Sequence, residues 1–172
     1  MLENDLYDFV ASERSDQEIK EKFLQSSISR ELWEDLRFIY KDKEKPLAVR
    51  SSNIFEDSLF QPCAGVFSTY MMPNSHNDAE VRLRQLISAI KLVYASTYLK
   101  LARSYAETLG ISLGETRMAV IIQEVVGQAY DDRYYPGFSG TAASYNYYPL
   151  GAHLQPEDRI AFAALGLGKT VV

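Results

Sequence analysis

The stretch "RMAVIIQEVV", residues 117–126, limits the possible folds more than any other part of the chain. Valine and isoleucine are stiff at χ1 and pack well on a pleated surface, so such a run favours a strand. Its near-continuous apolarity, in place of alternation, predicts a central strand covered on both faces. A long helical pattern lies upstream. "AEVRLRQLISAIKLVYASTYLKLARSYAETLG" places Val81, Leu83, Leu86, Ile87, Ile90, Val93 and Tyr94, then Tyr98, Leu101, Ala102 and Tyr105, at helical spacing. A pattern that long without a break predicts two helices joined near Ser96, begun by Asn77 or Asp78 and closed by Gly110.

The remaining segments fit around that pair. "DQEIKEKFLQSSI" and "SRELWEDLRFIYKD" read as two helices, the second capped by Ser29. "LAVRSS" and "AGVFSTYMM" read as strands, "GQAYDDRYYPG" as a polar turn or hairpin loop, and "FSGTAASYNYY" and "RIAFAALGL" as two more strands. Helices, two strands, a helical arm and three strands describe an α+β domain rather than a regular βαβ series. No repeat or linker divides the chain, so residues 1–172 read as one domain, with 1–46 a helical lead-in.

Composition excludes several function classes. The net charge is −5 and no block of lysine or arginine stands out, which argues against nucleic acid. No apolar run approaches 20 residues, which argues against a membrane span. "MLENDLYDFV" lacks the order of a signal peptide. Cys63 is the only cysteine, so an intrachain disulfide is impossible and a cytoplasmic setting fits. Two histidines, His76 and His153, and one cysteine give no zinc spacing, and no metal site is expected within the chain.

"GLGKTVV" at residues 166–172 spells the end of a P-loop, but that loop needs a glycine where Ala163 stands. A strand entering a glycine turn fits these residues better. "LAVRSSNIFEDSLFQPCAGVFSTYMMPN" carries more chemistry. Arg50 at a strand end offers a planar fork for phosphate oxygens, with the Ser51 and Ser52 hydroxyls beside it. The plainer alternative pairs Arg50 with Glu56 or Asp57 in a surface loop. Cys63 has no adjacent histidine or basic residue and reads as a lone, part-buried thiol. The tyrosines 130, 134, 135, 145, 147 and 148 could stack on sugar rings or simply pack a hairpin, and hairpin packing is the preferred reading.

The order of these pieces resembles a known family. "VRSS", "ED", "AG" and "TY", then "AIKLVYAS" about forty residues later, then "MAVIIQEVV", "FSGTAASYNYYP" and "GLGKTVV", are similar to the nucleotide-binding domain of the phosphoenolpyruvate synthase and pyruvate phosphate dikinase family. The resemblance runs from about Leu47 to Val172. It implies an ATP-grasp-like lobe with a mixed or antiparallel sheet packed against helices. It places Arg50, with Ser51 and Ser52, at the ATP phosphates, and Gln123, Glu124, Val125 and Val126 along the edge that receives adenine. Gly140 would sit where a side chain would crowd the nucleotide.

The same resemblance implies an enzyme that splits ATP to AMP and passes a phosphoryl group through a histidine on a swivelling domain. Pyruvate, water, a glucan or a drug takes part at another site. Departures accompany it. Val66 in "PCAGV" replaces a polar side chain, and Lys169 stands where the family has glutamate, either losing a ribose contact or gaining a phosphate ligand. The family's Gly-Gly-Lys segment, its Mg²⁺-binding acidic segment and its phosphohistidine site have no match here. The chain therefore reads as a piece of a larger phosphotransferase, with no catalytic residue of its own. The Mg²⁺ ligands, the remaining ATP-grasp lobe and the phosphohistidine and substrate domains are expected elsewhere in the parent. The alternative is a non-catalytic nucleotide- or carbohydrate-binding module on the same scaffold.

Overall fold

The computed structural model describes residues 5–53, 65–110, 117–149, 151 and 153–166. These form two compact units, 1–124 and 125–172, considered separately below. The chain is α+β, and every strand pairing among the described residues is antiparallel.

The first unit begins with three helices, α1 (Leu6–Ala11), α2 (Asp16–Gln25) and α3 (Arg30–Tyr40). A capping box opens α2, with Glu18 N–H donating to Ser15 Oγ and Ser15 N–H donating to the Glu18 carboxylate at 2.9 Å. Ser29 caps α3 as expected, accepting from Leu32 N–H at 3.2 Å. Strands β1 (Leu47–Asn53) and β2 (Tyr70–Met72) follow, then α4 (Ala79–Ser96), α5 (Lys100–Leu109) and β3 (Met118–Glu124). The helical arm does break just after Ser96. Asp78 caps its start, accepting from Glu80 N–H at 2.9 Å, and Gly110 closes it at φ 65°.

The sheet order is β2-β1-β3, so β1 lies in the middle and β3 at an edge among the described residues. This corrects the expectation of a central 117–126 strand covered on both faces. Burial along β3 alternates, and only Met118, Val120 and Ile122 pack into the core. There they meet Leu47 and Val49 of β1, Met72, and Leu86, Ala89 and Val93 of α4. Val49 is 0 % exposed. A second cluster joins Leu6, Val10, Ile19 and Phe23 to Ala95, and a third joins Leu36 to Leu83 and Ile87.

Three polar side chains lash the turns to this core. Buried Asn74, at φ 52°, donates to the carbonyls of Lys43 and Lys45 at 2.8 and 3.0 Å. Buried Arg82 donates to the carbonyls of His76 and Lys41 at 2.7 and 3.1 Å. Lys91 donates to the carbonyls of Leu24 and Ser26, serving acceptors freed at the end of α2. Its part-buried position lowers the ammonium pKa. The first two lashings set the entry point of β1.

The second unit holds two ribbons. In one, β4 (Gln128–Tyr130) and β5 (Arg133–Tyr135) form a tight hairpin turned by Asp131 at φ 53°. In the other, β6 (Phe138–Ala143) pairs with β7 (Ile160–Leu165). The expected 138–148 strand is therefore shorter, and buried Asn146 ends it by donating its backbone N–H to the Pro156 carbonyl at 2.7 Å.

Candidate nucleotide-binding face

Strand alternation sorts the sequence-predicted residues. Directly paired residues of an antiparallel sheet point to the same face, and neighbours along a strand point to opposite faces. Register places Leu47 opposite Glu124, Val49 opposite Ile122, Ser51 opposite Val120 and Asn53 opposite Met118. Val49 and Ile122 pack under α4, so Ser51 and Glu124 share the helix-covered face. The other face holds Ala48 opposite Gln123, Arg50 opposite Ile121 and Ser52 opposite Ala119, with Met71 of β2 opposite Ala48.

Among the described residues no helix covers this face, which brings Arg50, Ser52 and Gln123 to one side of the sheet with buried Ala48 beside them. Arg50, Ile121 and Gln123 are exposed and Ser52 is half-buried. Such an arrangement suits an anion: a guanidinium fork, a hydroxyl donor two residues along, and an amide on the neighbouring strand. It leaves Ser51 on the opposite side from Arg50, though the two are adjacent in sequence.

Glu124 is engaged elsewhere. Its carboxylate accepts from Lys43 Nζ at 2.9 Å and lies 3.6 Å from Lys45 Nζ. The hydrogen bond from Lys43, its charge, and then Lys45 hold the Glu124 carboxyl below the usual range, and the same bond raises the Lys43 pKa. Neither lysine was singled out from the sequence. The pair pins the end of β3 to the α3–β1 turn, the same turn that Asn74 holds.

Val125, Val126 and Gly140 belong to the second unit. Val126 is 82 % exposed. Val125 accepts a hydrogen bond at its carbonyl from the Tyr134 hydroxyl at 3.3 Å. Gly140 faces the partner strand closely, since a Cβ there would lie 2.2 Å from the Phe162 carbonyl oxygen and 3.2 Å from the Ala163 Cα. Close backbone approach within the ribbon is thus one reason for glycine at this position. Lys169, Cys63, Glu56 and Asp57 lie outside the described residues. Val66 lies in a turn, and His153 is exposed. Tyr130 and Tyr135 stack at 4.5 Å, and Tyr145 meets Tyr147 edge to face at 5.0 Å, so these four pack in two separate pairs.

Among the described residues no group of three His, Cys, Asp or Glu side chains is placed to hold a metal ion. None of the described helices is long and apolar enough to cross a membrane.

Over residues 1–172 the chain matches the family described as pyruvate phosphate dikinase, AMP/ATP-binding domain. The chain belongs to that family, whose fold is of the ATP-grasp type and whose domain binds AMP or ATP. No curated protein matches the chain.

Proposed function

We propose that the chain is the ATP-binding portion of a dikinase-type phosphotransferase, and that the open face of the β2-β1-β3 sheet receives the nucleotide. The observation that carries this reading is the register of β1 and β3. Within a family whose domain binds AMP or ATP, it puts Arg50, Ser52 and Gln123 on a single face. Arg50 would hold phosphate oxygens through paired charge-assisted hydrogen bonds, and Ser52 would donate a further one. Ser51, on the helix side, would contribute through the backbone of the same strand. Glu124, held by Lys43 and Lys45, would shape the edge that continues into Val125 and Val126. Val125, Val126, Gly140 and Lys169 stay nucleotide contacts proposed from the family resemblance alone.

ATP would give up two phosphoryl groups, the β-phosphoryl ending on a histidine on another domain of the parent and the γ-phosphoryl leaving as inorganic phosphate, with AMP as the remaining product. The chain's own residues would bind and orient the triphosphate. The Mg²⁺ ligands are proposed, on the family resemblance, to lie elsewhere in the parent, and no step is assigned to that ion. The remaining ATP-grasp lobe, the phosphohistidine domain and the substrate domain complete the proposed cytoplasmic enzyme. A binding module without turnover, to which Val66 and Lys169 point, is the second reading. AMP formation from ATP separates the two. The proposal expects none from the 172-residue chain and clear formation from the full-length parent. A parent that binds ATP without ever forming AMP would favour the module, and AMP formed by the purified chain alone would overturn the division of labour.

A further inference from the structure

We infer that the β6–β7 ribbon of the second unit is where two copies of this chain meet, face to face about a two-fold axis. Directly paired residues share a face. One face therefore holds Phe138 with Leu165, Gly140 with Ala163 and Ala142 with Ala161. The other holds Ser139, Thr141 and Ala143 with Ala164, Phe162 and Ile160. The first face is apolar throughout, and all six of its residues are exposed. On the second, Ser139, Ala164 and Ile160 are part-covered, and Ser139 Oγ donates to the Gly166 carbonyl at 2.7 Å. A two-stranded ribbon is marginally stable in water until a face of it is packed.

The occupant follows from the size gradient along the apolar face. At one end Phe138 is 76 % exposed and Leu165 is 92 % exposed. At the other end stand two alanines, beside a hollow of about 550 Å³ whose lining includes Ala142, Ala161, Ser144 and Arg159. A two-fold axis parallel to the Gly140–Ala163 row reverses the strand direction of the second copy. Phe138 of each copy then lies over Ala142 of the other, and Leu165 over Ala161, bulk against small. Glycine and alanine in the middle row let the ribbons close. An axis along the strands would set Phe138 against Leu165 and leave alanines facing alanines. The six residues carry no charge, so joining two identical faces brings no like charges together. Their exposed area is on the order of 500 Å² per copy, a size at which an apolar patch often marks an interaction site. About 1,000 Å² for the pair is the lower limit for a specific interface, so the dimer is weak and concentration-dependent. Gly140 lies at its centre, so the contact belongs to the nucleotide-free protein.

Sedimentation of the nucleotide-free chain and of the full-length parent over a concentration series tests the pairing. Both should show a reversible monomer–dimer equilibrium. Leu165→Lys should weaken it roughly tenfold or more, as lost apolar contact and a buried charge require. Phe162→Lys, on the other ribbon face, should leave it nearly unchanged. Thermal melting at low concentration, where the protein is monomeric, checks that each variant folds. Phe138→Lys and Ala142→Glu should each weaken their own dimer and associate again when mixed, because position 138 of one copy lies over 142 of the other. A chain that stays monomeric at high concentration, or that dimerises equally with Leu165→Lys, overturns the proposal. So does a chain that dimerises while the parent stays monomeric, because a segment of the parent would then cover the face. Failure of the two mixed variants to associate overturns the axis.

Discussion

Replacing Arg50 with alanine removes a guanidinium that projects from the middle strand of the sheet on the side away from α4. Its side chain is outside the core clusters, and exposed positions of this kind usually change stability by less than about 0.5 kcal/mol. A hydrogen bond to a charged group contributes about 1.5–3 kcal/mol, so the loss of ATP affinity should be roughly tenfold or more. Alternation of the strand supplies the controls. Ser52→Ala, on the same face, should weaken ATP by a smaller amount, about 0.5–1.5 kcal/mol for a neutral hydrogen bond. Ser51→Ala, facing Val120 and the helix, should leave affinity within error and act on the melting temperature instead. Calorimetry and thermal melting on the three variants read both quantities. Equal losses of affinity at Ser51 and Ser52 would refute the face assignment. Unchanged affinity in Arg50→Ala with a lowered melting point would show that Arg50 serves an ion pair within the fold.

Three further outcomes follow from the packing. Gly140→Ala puts a methyl group 2.2 Å from the Phe162 carbonyl oxygen, so the β6–β7 ribbon must open. It should destabilise its unit by about 1–3 kcal/mol, seen as faster amide exchange at Ala161–Ala164, and unchanged exchange would count against the close approach. Asn74→Ala strips two buried bonds from the Lys43 and Lys45 carbonyls and places alanine at φ 52°. A loss of about 2 kcal/mol or more in denaturant unfolding is expected. The Glu124 carboxyl is lowered in the folded state, so its contribution is complete above the unfolded value of about 4.3 and is lost as pH falls through the folded value. Glu124→Gln should flatten that acid limb of the stability profile, and an identical limb in both proteins would remove the Lys43 clamp from the account.

The helical half of the fold was legible in the sequence because its signals are local. Ser29, Asp78 and Gly110 each cap the helix end they neighbour, and the break after Ser96 follows from a periodic pattern too long for one helix. The 117–126 run was misread for a physical reason. A continuous apolar stretch has no phase, so Ala119 and Ile121 could not be told from Val120 and Ile122 until pairing with β1 set the register. The same ignorance of phase made Arg50, Ser51 and Ser52 look like one cluster. Asn74, Arg82 and Lys91 gave no signal, because their partners are backbone carbonyls 29, 31, 41, 65 and 67 residues away, or in nearby turns. Lys43 and Lys45 looked like part of a charged turn, and only the fold brings Glu124 to them.

A nucleotide titration followed by side-chain and backbone NMR reads directly which side of the β2-β1-β3 sheet meets ATP. The expected shifts are the Ile121 and Met71 methyl groups, the Gln123 side-chain amide, the Arg50 Nε–H and the Ser52 backbone. Ile122, Val120 and Val49, beneath α4, should move far less. Large shifts confined to the helix-side residues, or none anywhere on the sheet at saturating ATP, would contradict the assignment.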